Sequence, residues 1–338
     1  MWYWLEPRTW LQKFIAWTVF VACLLALPFA VIVSSIYNIL RSGPWTKYRV
    51  VKGKVVIVTG ASSGIGQCIA MEYAKRGAKL VLAARRKEKL EEVAKKCSEH
   101  GASDAVVCPT DVSVPDSCEN LVNFTLETFG RVDVLVNNAG SASISPFEEY
   151  SSTEKFRKDV EVDFWGNVLT TKFALEHLRR TRGQVVVTCS VGALAPYPKQ
   201  TFYNASKAAL LHFYDTLRVE PIGRSIGITV ALPGFVKSEL TTLGPRGHIP
   251  RWWPMMETED CAKKIVEAAL SNRRYALIPT WYSFNVLFRV FAPELLEIPP
   301  RMFLLGKPPS KSVKMASELL LGEETSRQVF QSLKALAA

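Results

Sequence analysis

Short apolar, β-branched runs alternate with stretches of helical periodicity through the middle of the chain. Lys54-Val55-Val56-Ile57-Val58 reads as a buried strand. Beyond it, Ile69, Ala70, Tyr73 and Ala74 recur at helical spacing up to Arg76-Gly77, where a glycine fits a helix end. Further strands are predicted over Lys79–Ala84, Ala105–Cys108, Val132–Val136, Gln184–Thr188 and Ile226–Leu232. Strands that alternate with helices imply βα repeats, hence a doubly wound parallel sheet in a single α/β domain. The chain beyond residue 50 is long for one domain but ordinary for such a sheet.

In open α/β sheets, ligands bind beyond the carboxyl ends of the strands. Polar and glycine-rich clusters fall there. The first strand runs into Thr59-Gly60-Ala61-Ser62-Ser63-Gly64-Ile65-Gly66 and then a helix. In that setting free backbone N–H groups and the helix dipole hold a diphosphate. Gly60 permits the tight turn, Gly64 close approach of a cofactor, and Gly66 close helix–strand packing. The spacing is Gly-x-x-x-Gly-x-Gly, not the Gly-x-Gly-x-x-Gly fingerprint, and a glycine turn that binds nothing is the alternative. The second strand ends at Arg85-Arg86 with no carboxylate nearby. A guanidinium suits a 2′-phosphate, so NADP(H) is favoured over NAD. The alternative makes Arg86, Lys87 and Lys89 the solvated start of a helix. Asp111-Val112, Asn137-Asn138-Ala139-Gly140, Cys189-Ser190 and Pro233-Gly234 close the other strands.

Tyr203-Asn204-Ala205-Ser206-Lys207 places a phenol and an ammonium one helical turn apart, ahead of Ala208-Ala209-Leu210-Leu211. A cation beside a phenol favours the phenolate and allows proton exchange nearer neutral pH. On an arbitrary helix, the same pair is an exposed tyrosine covering a lysine stem.

Together these residues resemble a short-chain dehydrogenase/reductase, a Rossmann-like fold, from about Gly53 to about Pro279. Thr59–Gly66, Asn137–Gly140, Ser190, Tyr203-x-x-x-Lys207 and Pro233-Gly234 occur in family order. Asp163-Phe164-Trp165-Gly166, Phe202–Leu211, Pro279-x-Trp281 and Phe291–Leu295 are similar to the plant steroleosins, enzymes of oil bodies and endoplasmic reticulum related to 11β-hydroxysteroid dehydrogenase. The resemblance implies that Tyr203 is the general acid/base. Lys207 then lowers its pKa and binds the nicotinamide ribose, and Ser190 hydrogen-bonds the substrate oxygen. It implies cofactor contacts at Gly60, Ser62, Ile65, Arg85, Asp111, Asn138 and Val236. Ser63, Gly64, Gly66, Val112, Ala139, Gly140, Pro233, Gly234 and Ser238 complete the expected cofactor set. Two positions depart from the family pattern. Asp163 stands where the family carries a catalytic asparagine, bringing a negative charge near Lys207 and no amide to donate. Ser238 replaces the usual threonine and keeps its hydroxyl.

The ends of the chain differ in character. No charge interrupts Phe14–Leu40, a stretch of about 40 Å as a helix, enough to cross a hydrocarbon core. Trp2, Tyr3, Trp4, Trp10 and Trp17 flank it on one side and Tyr37 and Trp45 on the other, as an interfacial belt would. Pro28 near its middle leaves two readings, a kinked single span or a hairpin that dips in and returns. Either way, Arg41, Lys47, Arg49, Lys52 and Lys54 outweigh Arg8 and Lys13, so the catalytic domain is expected to face the cytosol. Residues 1–45 are thus read as a membrane anchor and 50–282 as the catalytic domain. Residues 283–306 are read as an apolar extension and 307–338 as a polar tail. Trp281–Leu305 suits an interfacial segment through which lipid substrate enters, or else a homodimer or core contact. Arg246–Trp253 lies where the family keeps its substrate lid.

Composition adds exclusions. The 7 cysteines, Cys23, Cys68, Cys97, Cys108, Cys118, Cys189 and Cys261, are odd in number and lack metal spacing, and the 4 histidines form no cluster. No metal site is expected. A net charge of +11 suits an anionic membrane face, and no nucleic-acid motif accompanies it. The expected function is NADP(H)-dependent interconversion of hydroxyl and keto groups on an apolar, steroid- or sterol-like substrate, at endoplasmic reticulum or lipid-droplet membrane. The alternatives are a reductase of long-chain lipid ketones such as 3-ketosphinganine, and a low-activity lipid-droplet or membrane coat protein that retains the fold.

Overall fold

The computed structural model describes residues 49–149, 153–242 and 254–304, with scattered positions between Trp10 and Ile36. The chain divides into two units, Met1–Arg49 and Val50–Ala338. In the first, the described positions between Trp10 and Ile36 are helical and exposed. Most of the uncharged stretch Phe14–Leu40, Pro28 included, lies outside the described residues, as do the expected lid Arg246–Trp253 and the tail 307–338. Among the described residues, no helix is long and apolar enough to cross a membrane.

The second unit is built on a seven-stranded sheet in which every pairing is parallel. β1 (Val55–Thr59), β2 (Lys79–Ala84) and β3 (Asp104–Pro109) run toward one edge. The chain then returns to the other flank of β1 with β4 (Val134–Asn137), β5 (Gln184–Thr188), β6 (Gly227–Pro233) and β7 (Tyr275–Ile278), in the order β3-β2-β1-β4-β5-β6-β7. The reversal falls between β1 and β4, where Val56 lies beside both Leu80 and Val134 and Val58 beside both Leu82 and Val136. The connections that leave their carboxyl ends therefore turn to opposite faces, which opens the ligand crevice of a doubly wound sheet.

The connecting helices are α1 (Gly64–Ala74), α2 (Lys87–Glu99), α3 (Pro115–Phe129), α4 (Glu154–Val160), α5 (Gly166–Thr181) and α6 (Thr201–Val219). They are followed by the short α7 (Glu239–Thr242), then α8 (Thr258–Leu270), α9 (Phe284–Phe291) and α10 (Pro293–Leu304). All five residues of β1 are buried, because helices cover both faces of the sheet. Alternation along the strand divides them. Val56 and Val58 pack with Ile69 and Tyr73 of α1 and Ile265 and Val266 of α8. Ile57 joins Leu121 of α3, Leu178 of α5 and Leu210 and Tyr214 of α6 on the opposite face.

The six strands expected from the apolar runs are present within two residues at each end. β4 begins at Val134, not Val132, because Asp133 is turned to other work. Its carboxylate accepts from Val55 N at 3.0 Å and from Arg131 Nε at 2.8 Å, tying the amino ends of β1 and β4 together. β7 was not anticipated. Tyr275–Ile278 is too short to show a period, and its pairing with Val230–Pro233 is what makes it a strand.

Candidate active site

The carboxyl ends of β1, β2, β4, β5 and β6 open into one groove of about 760 Å³. Its floor is the glycine turn. Gly60 has φ +66°, and a Cβ there would stand 2.8 Å from Ala139 Cα. Gly66 faces the Gly60 carbonyl and the Asn138 amide so closely that a Cβ would overlap them. α1 starts at Gly64 after an extended Ser63 that makes no side-chain cap, which leaves its first N–H groups for an anion. Thr59 and Asn138 bind β1 to β4 at this point. Thr59 Oγ1 accepts from the N–H groups of Asn138 and Ala139 at 3.0 and 3.1 Å, and Asn138 Nδ2 donates to Thr59 O at 3.1 Å.

At the end of β2, Arg85 lines the groove and Arg86 crosses to the glycine turn. Arg86 Nη2 donates to Ser62 Oγ at 3.1 Å and Ser63 Oγ at 2.8 Å, and pairs with Glu239 at 2.9 Å. Arg86, the exposed N-cap residue of α2, thus lines the groove as well as starting the helix. At the end of β3, Asp111 Oδ1 accepts from Ser113 N at 3.0 Å and Ser113 Oγ at 2.7 Å. Burial works against the Asp111 charge, yet these bonds and the charge of Arg85 hold its carboxyl below the usual range. The groove fits a nicotinamide dinucleotide. Backbone is bared where Cβ atoms would otherwise stand, an uncapped helix start faces the turn, and two guanidinium groups, Arg85 and Arg86, follow the carboxyl end of β2.

Deeper in the groove, α6 presents Tyr203 and Lys207 on one face, with Lys207 Nζ 5.6 Å from the phenol ring centre. Tyr203 shares a hydrogen bond with the Ser190 side chain, while Ser190 Oγ accepts from Gly192 N at 3.0 Å. Lys207 is buried, its ammonium 3.3 Å from Asp163 Oδ1 and 3.5 Å from Thr188 O. Asp163 sits in a π-helical turn, Glu161–Trp165, that widens the helix ahead of α5. Burial lifts the Asp163 carboxyl to about 6 against the pull of Lys207. Burial disfavours the Lys207 ammonium, but Asp163 and Tyr203 outweigh it and hold the lysine above its usual range. Tyr203 also lies above its usual range. Burial raises it, Lys207 opposes that, and Asp163 raises it again.

Of the expected residues, Ser190, Tyr203, Lys207, Gly60, Ser62, Ser63, Gly64, Ile65, Arg85, Asp111, Val112, Asn138, Ala139, Gly140, Pro233, Gly234, Val236 and Ser238 line the groove together. Gly66 and Asp163 do not: one packs beneath the turn, the other lies fully buried behind Gly140. Glu239 and Thr241 line the groove as well, and nothing in their local sequence marks them. A buried polar network supports the site from behind. Asn137 Nδ2 lies 2.8 Å from Thr171 Oγ1, 2.9 Å from the Tyr214 hydroxyl and 3.0 Å from Asn167 O, and its Oδ1 accepts from Thr170 Oγ1 at 2.8 Å.

Ser190 and Tyr203 also face a smaller apolar annex of about 80 Å³, walled by Ile144, Val191, Tyr197 and Phe235. The C-terminal elements form its backing. Tyr282 packs where a Cβ on Gly234 would lie, and Asn285 hydrogen-bonds Tyr197. Arg289 Nη1 donates to Ala193 O at 2.8 Å, in the turn that follows Ser190. The other side of α9 exposes Phe284, Val286, Leu287, Val290 and Phe291.

The short chain dehydrogenase family model matches residues 54–245. The chain is 43% identical over 270 residues to 11-beta-hydroxysteroid dehydrogenase A of Sesamum indicum, covering 76% of this chain and 77% of that one. It is 40% identical over 299 residues to 11-beta-hydroxysteroid dehydrogenase A of Arachis hypogaea, covering 85% of each. Among solved structures, it is similar to an alcohol dehydrogenase from Thermococcus sibiricus complexed with 5-hydroxy-NADP. That likeness has a TM-score of 0.61 and 31% identity, covering 67% of this chain and 95% of that one. A short-chain type dehydrogenase/reductase from Mycobacterium marinum gives a TM-score of 0.63 at 25% identity, covering 69% and 96%. With its glycine turn, its Ser190–Tyr203–Lys207 centre and this breadth of likeness, the chain belongs to the short-chain dehydrogenase/reductase family, oxidoreductases that act on CH–OH groups.

Proposed function

We propose that the protein is an NADP(H)-dependent oxidoreductase that interconverts hydroxyl and keto groups on an apolar, steroid- or sterol-like substrate at a lipid surface. The observation that carries this reading is the placement of Ser190 and Tyr203, which face the cofactor groove on one side and an apolar annex on the other. The bound nicotinamide would supply or accept hydride at the carbinol carbon. Tyr203 gives its proton to the substrate oxygen in reduction and takes it back in oxidation. Ser190 offers a second hydrogen bond where alkoxide charge develops. Lys207 lies beside the phenol ring and is itself fixed by Asp163 and Thr188 O.

Arg85 and Arg86 support the choice of NADP(H), since both lie at the groove wall and Arg86 is already aimed at the hydroxyls of the glycine turn. The walls of the annex, Ile144, Val191, Tyr197 and Phe235, support an apolar substrate, and the plant relatives' names point to steroids. The apolar outer side of α9 supports contact with membrane or lipid droplet, and the basic residues that follow Phe14–Leu40 support a catalytic domain on the cytosolic side. The test is turnover of NADPH by the purified full chain with a panel of steroid ketones and long-chain lipid ketones. Tyr203→Phe is expected to cut turnover about a thousandfold while NADPH still binds. Equal turnover by Tyr203→Phe would overturn the mechanism, and turnover confined to long-chain ketones would replace the steroid assignment.

A further inference from the structure

The proton-transfer centre carries a charge that its chemistry does not require. Asp163 lies wholly buried with Oδ1 3.3 Å from the Lys207 ammonium, and the same oxygen accepts from Ser141 N at 3.0 Å. Its Oδ2 is buried with no hydrogen-bond partner among the described residues. A neutral amide would keep the contact to Ser141 without an ionised group in a place that water does not reach. Room for the pair comes from Gly140, where a Cβ would stand 2.9 Å from Asp163 Oδ1 and 3.5 Å from Lys207 Nζ.

We propose that Asp163 is a positioning residue that sets the direction in which the site works near neutral pH. Its carboxylate neutralises Lys207 and so keeps Tyr203 as the phenol that donates to a ketone oxygen. This rests on the reading of Tyr203 as acid/base given above. In reduction the Tyr203 O–H bond breaks and its proton joins the substrate oxygen while hydride from NADPH reaches the carbonyl carbon. The phenolate left behind regains a proton from solvent. In oxidation the phenolate must be present first, to take the carbinol proton as hydride passes to NADP+. An unpaired ammonium beside Tyr203 would favour that phenolate, whereas an ammonium already matched to a carboxylate does so much less.

The neighbouring groups do not undo this balance. From α4, Asp159 faces the same loop, with its carboxylate 2.6 Å from Ser141 Oγ and 3.0 Å from Ser143 N, and it adds negative charge. From the end of β5, the Cys189 thiol donates to Lys207 O at 3.2 Å, and burial lifts it to about 11, so it is neutral in the working range. Lys158 lines the open groove, and Tyr214 is bound into the Asn137 network behind. Tyr203 lying above the usual phenol range agrees with the geometry.

The experiment compares the full-length protein with Asp163→Asn and Asp163→Leu. Rates are measured against pH in both directions with NADP(H) and an 11-ketosteroid or its 11-hydroxysteroid counterpart. In both variants the rising limb of oxidation is expected about one pH unit lower, making oxidation near neutral pH roughly tenfold faster relative to reduction. Ultraviolet titration of the phenolate, referenced to Tyr203→Phe, is expected to move by the same amount. It needs no substrate, so it decides the matter even where turnover of the steroid pair is slow. An unmoved titration overturns the proposal, as do rates lowered alike in both directions with unshifted limbs or a shift in the asparagine variant alone. Full activity in Tyr203→Phe would instead overturn the acid/base reading itself, which separates the two failures.

Discussion

Arg86 and Glu239, 153 positions apart in the chain, meet at 2.9 Å across the mouth of the cofactor groove. The same guanidinium reaches Ser62 and Ser63 in the glycine turn, so a carboxylate at the start of α7 is tied to the turn where phosphate is expected. A 2′-phosphate would compete with Glu239 for that fork.

Removing Arg86 is therefore expected to weaken NADPH far more than NADH. Charge-assisted bonds of this kind contribute on the order of 1.5–3 kcal/mol, so Arg86→Ala should raise the KM for NADPH by about ten- to a hundredfold. Glu239→Gln, which frees Arg86, should lower it several-fold. The pairing also has a defined pH response. Its hydrogen bonds from Arg86 and Ser63 hold the Glu239 carboxyl down at about 2. For a depressed carboxyl, the pairing is complete above its ordinary value and is lost only as pH falls through the depressed one. Cofactor affinity in the wild type should thus respond to added salt but not to pH near neutrality. Titrations of NADPH fluorescence at several salt concentrations check both points.

Behind the site, Asn137 is expected to be the most costly of its network to replace. Asn137→Leu would remove one hydrogen bond each from Thr170, Thr171, Tyr214 and the Asn167 carbonyl, which keep their bonds to one another, at about 1 kcal/mol each. The expected result is a protein that fails to accumulate or unfolds several kcal/mol more easily. Tyr214→Phe removes one hydroxyl from the same cluster and should cost only about 1–2 kcal/mol. Urea unfolding of the two variants side by side checks the order.

Much of this site is legible in the sequence because its parts are local. Strand, glycine turn and helix follow one another from Val55 to Ala74, and Tyr203 and Lys207 share a helix face by spacing alone. What could not be read depends on distant pairs. Glu239 acquires its place through the distant Arg86 and Ser63, and β7 is a strand because β6 offers it an edge. Asp163 is visible as a departure from a family pattern, yet its ion pair with Lys207 depends on the π-helical turn, which no sequence period announces. Arg289 reads as a charge in an apolar run, and only the fold brings it to the Ala193 carbonyl.

The glycine turn makes a sharper prediction. Gly60→Ala forces a side chain onto a backbone at φ +66° and to within 2.8 Å of Ala139 Cα. The conformational cost alone is about 1–3 kcal/mol, with the clash added to it. Because Thr59 and Asn138 tie this turn to β4, the strain should spread across the switch point and be felt as lost stability as well as lost cofactor. A lowered Tm together with an NADPH affinity beyond the measurable range is expected. An unchanged Tm would show that β4 gives way there more easily than its hydrogen bonds suggest.

The outward side of α9 carries the remaining prediction. Phe284, Val286, Leu287, Val290 and Phe291 are exposed together, while Asn285 and Arg289 on the other side hold the helix to the annex wall and to the turn after Ser190. Burying such side chains in a lipid surface is worth on the order of 1.5–3 kcal/mol each. Replacing Phe284, Val290 and Phe291 by serine should therefore reduce flotation with anionic phospholipid vesicles by at least tenfold. Turnover of a water-soluble test ketone should stay unchanged, because none of the three side chains touches the annex. If this side of α9 is how apolar substrate is delivered, the same variant should raise the KM for vesicle-borne steroid and leave kcat alone. Arg289→Ala should behave oppositely. It leaves the apolar side intact but frees the Ala193 turn, so vesicle flotation should persist while kcat falls several-fold.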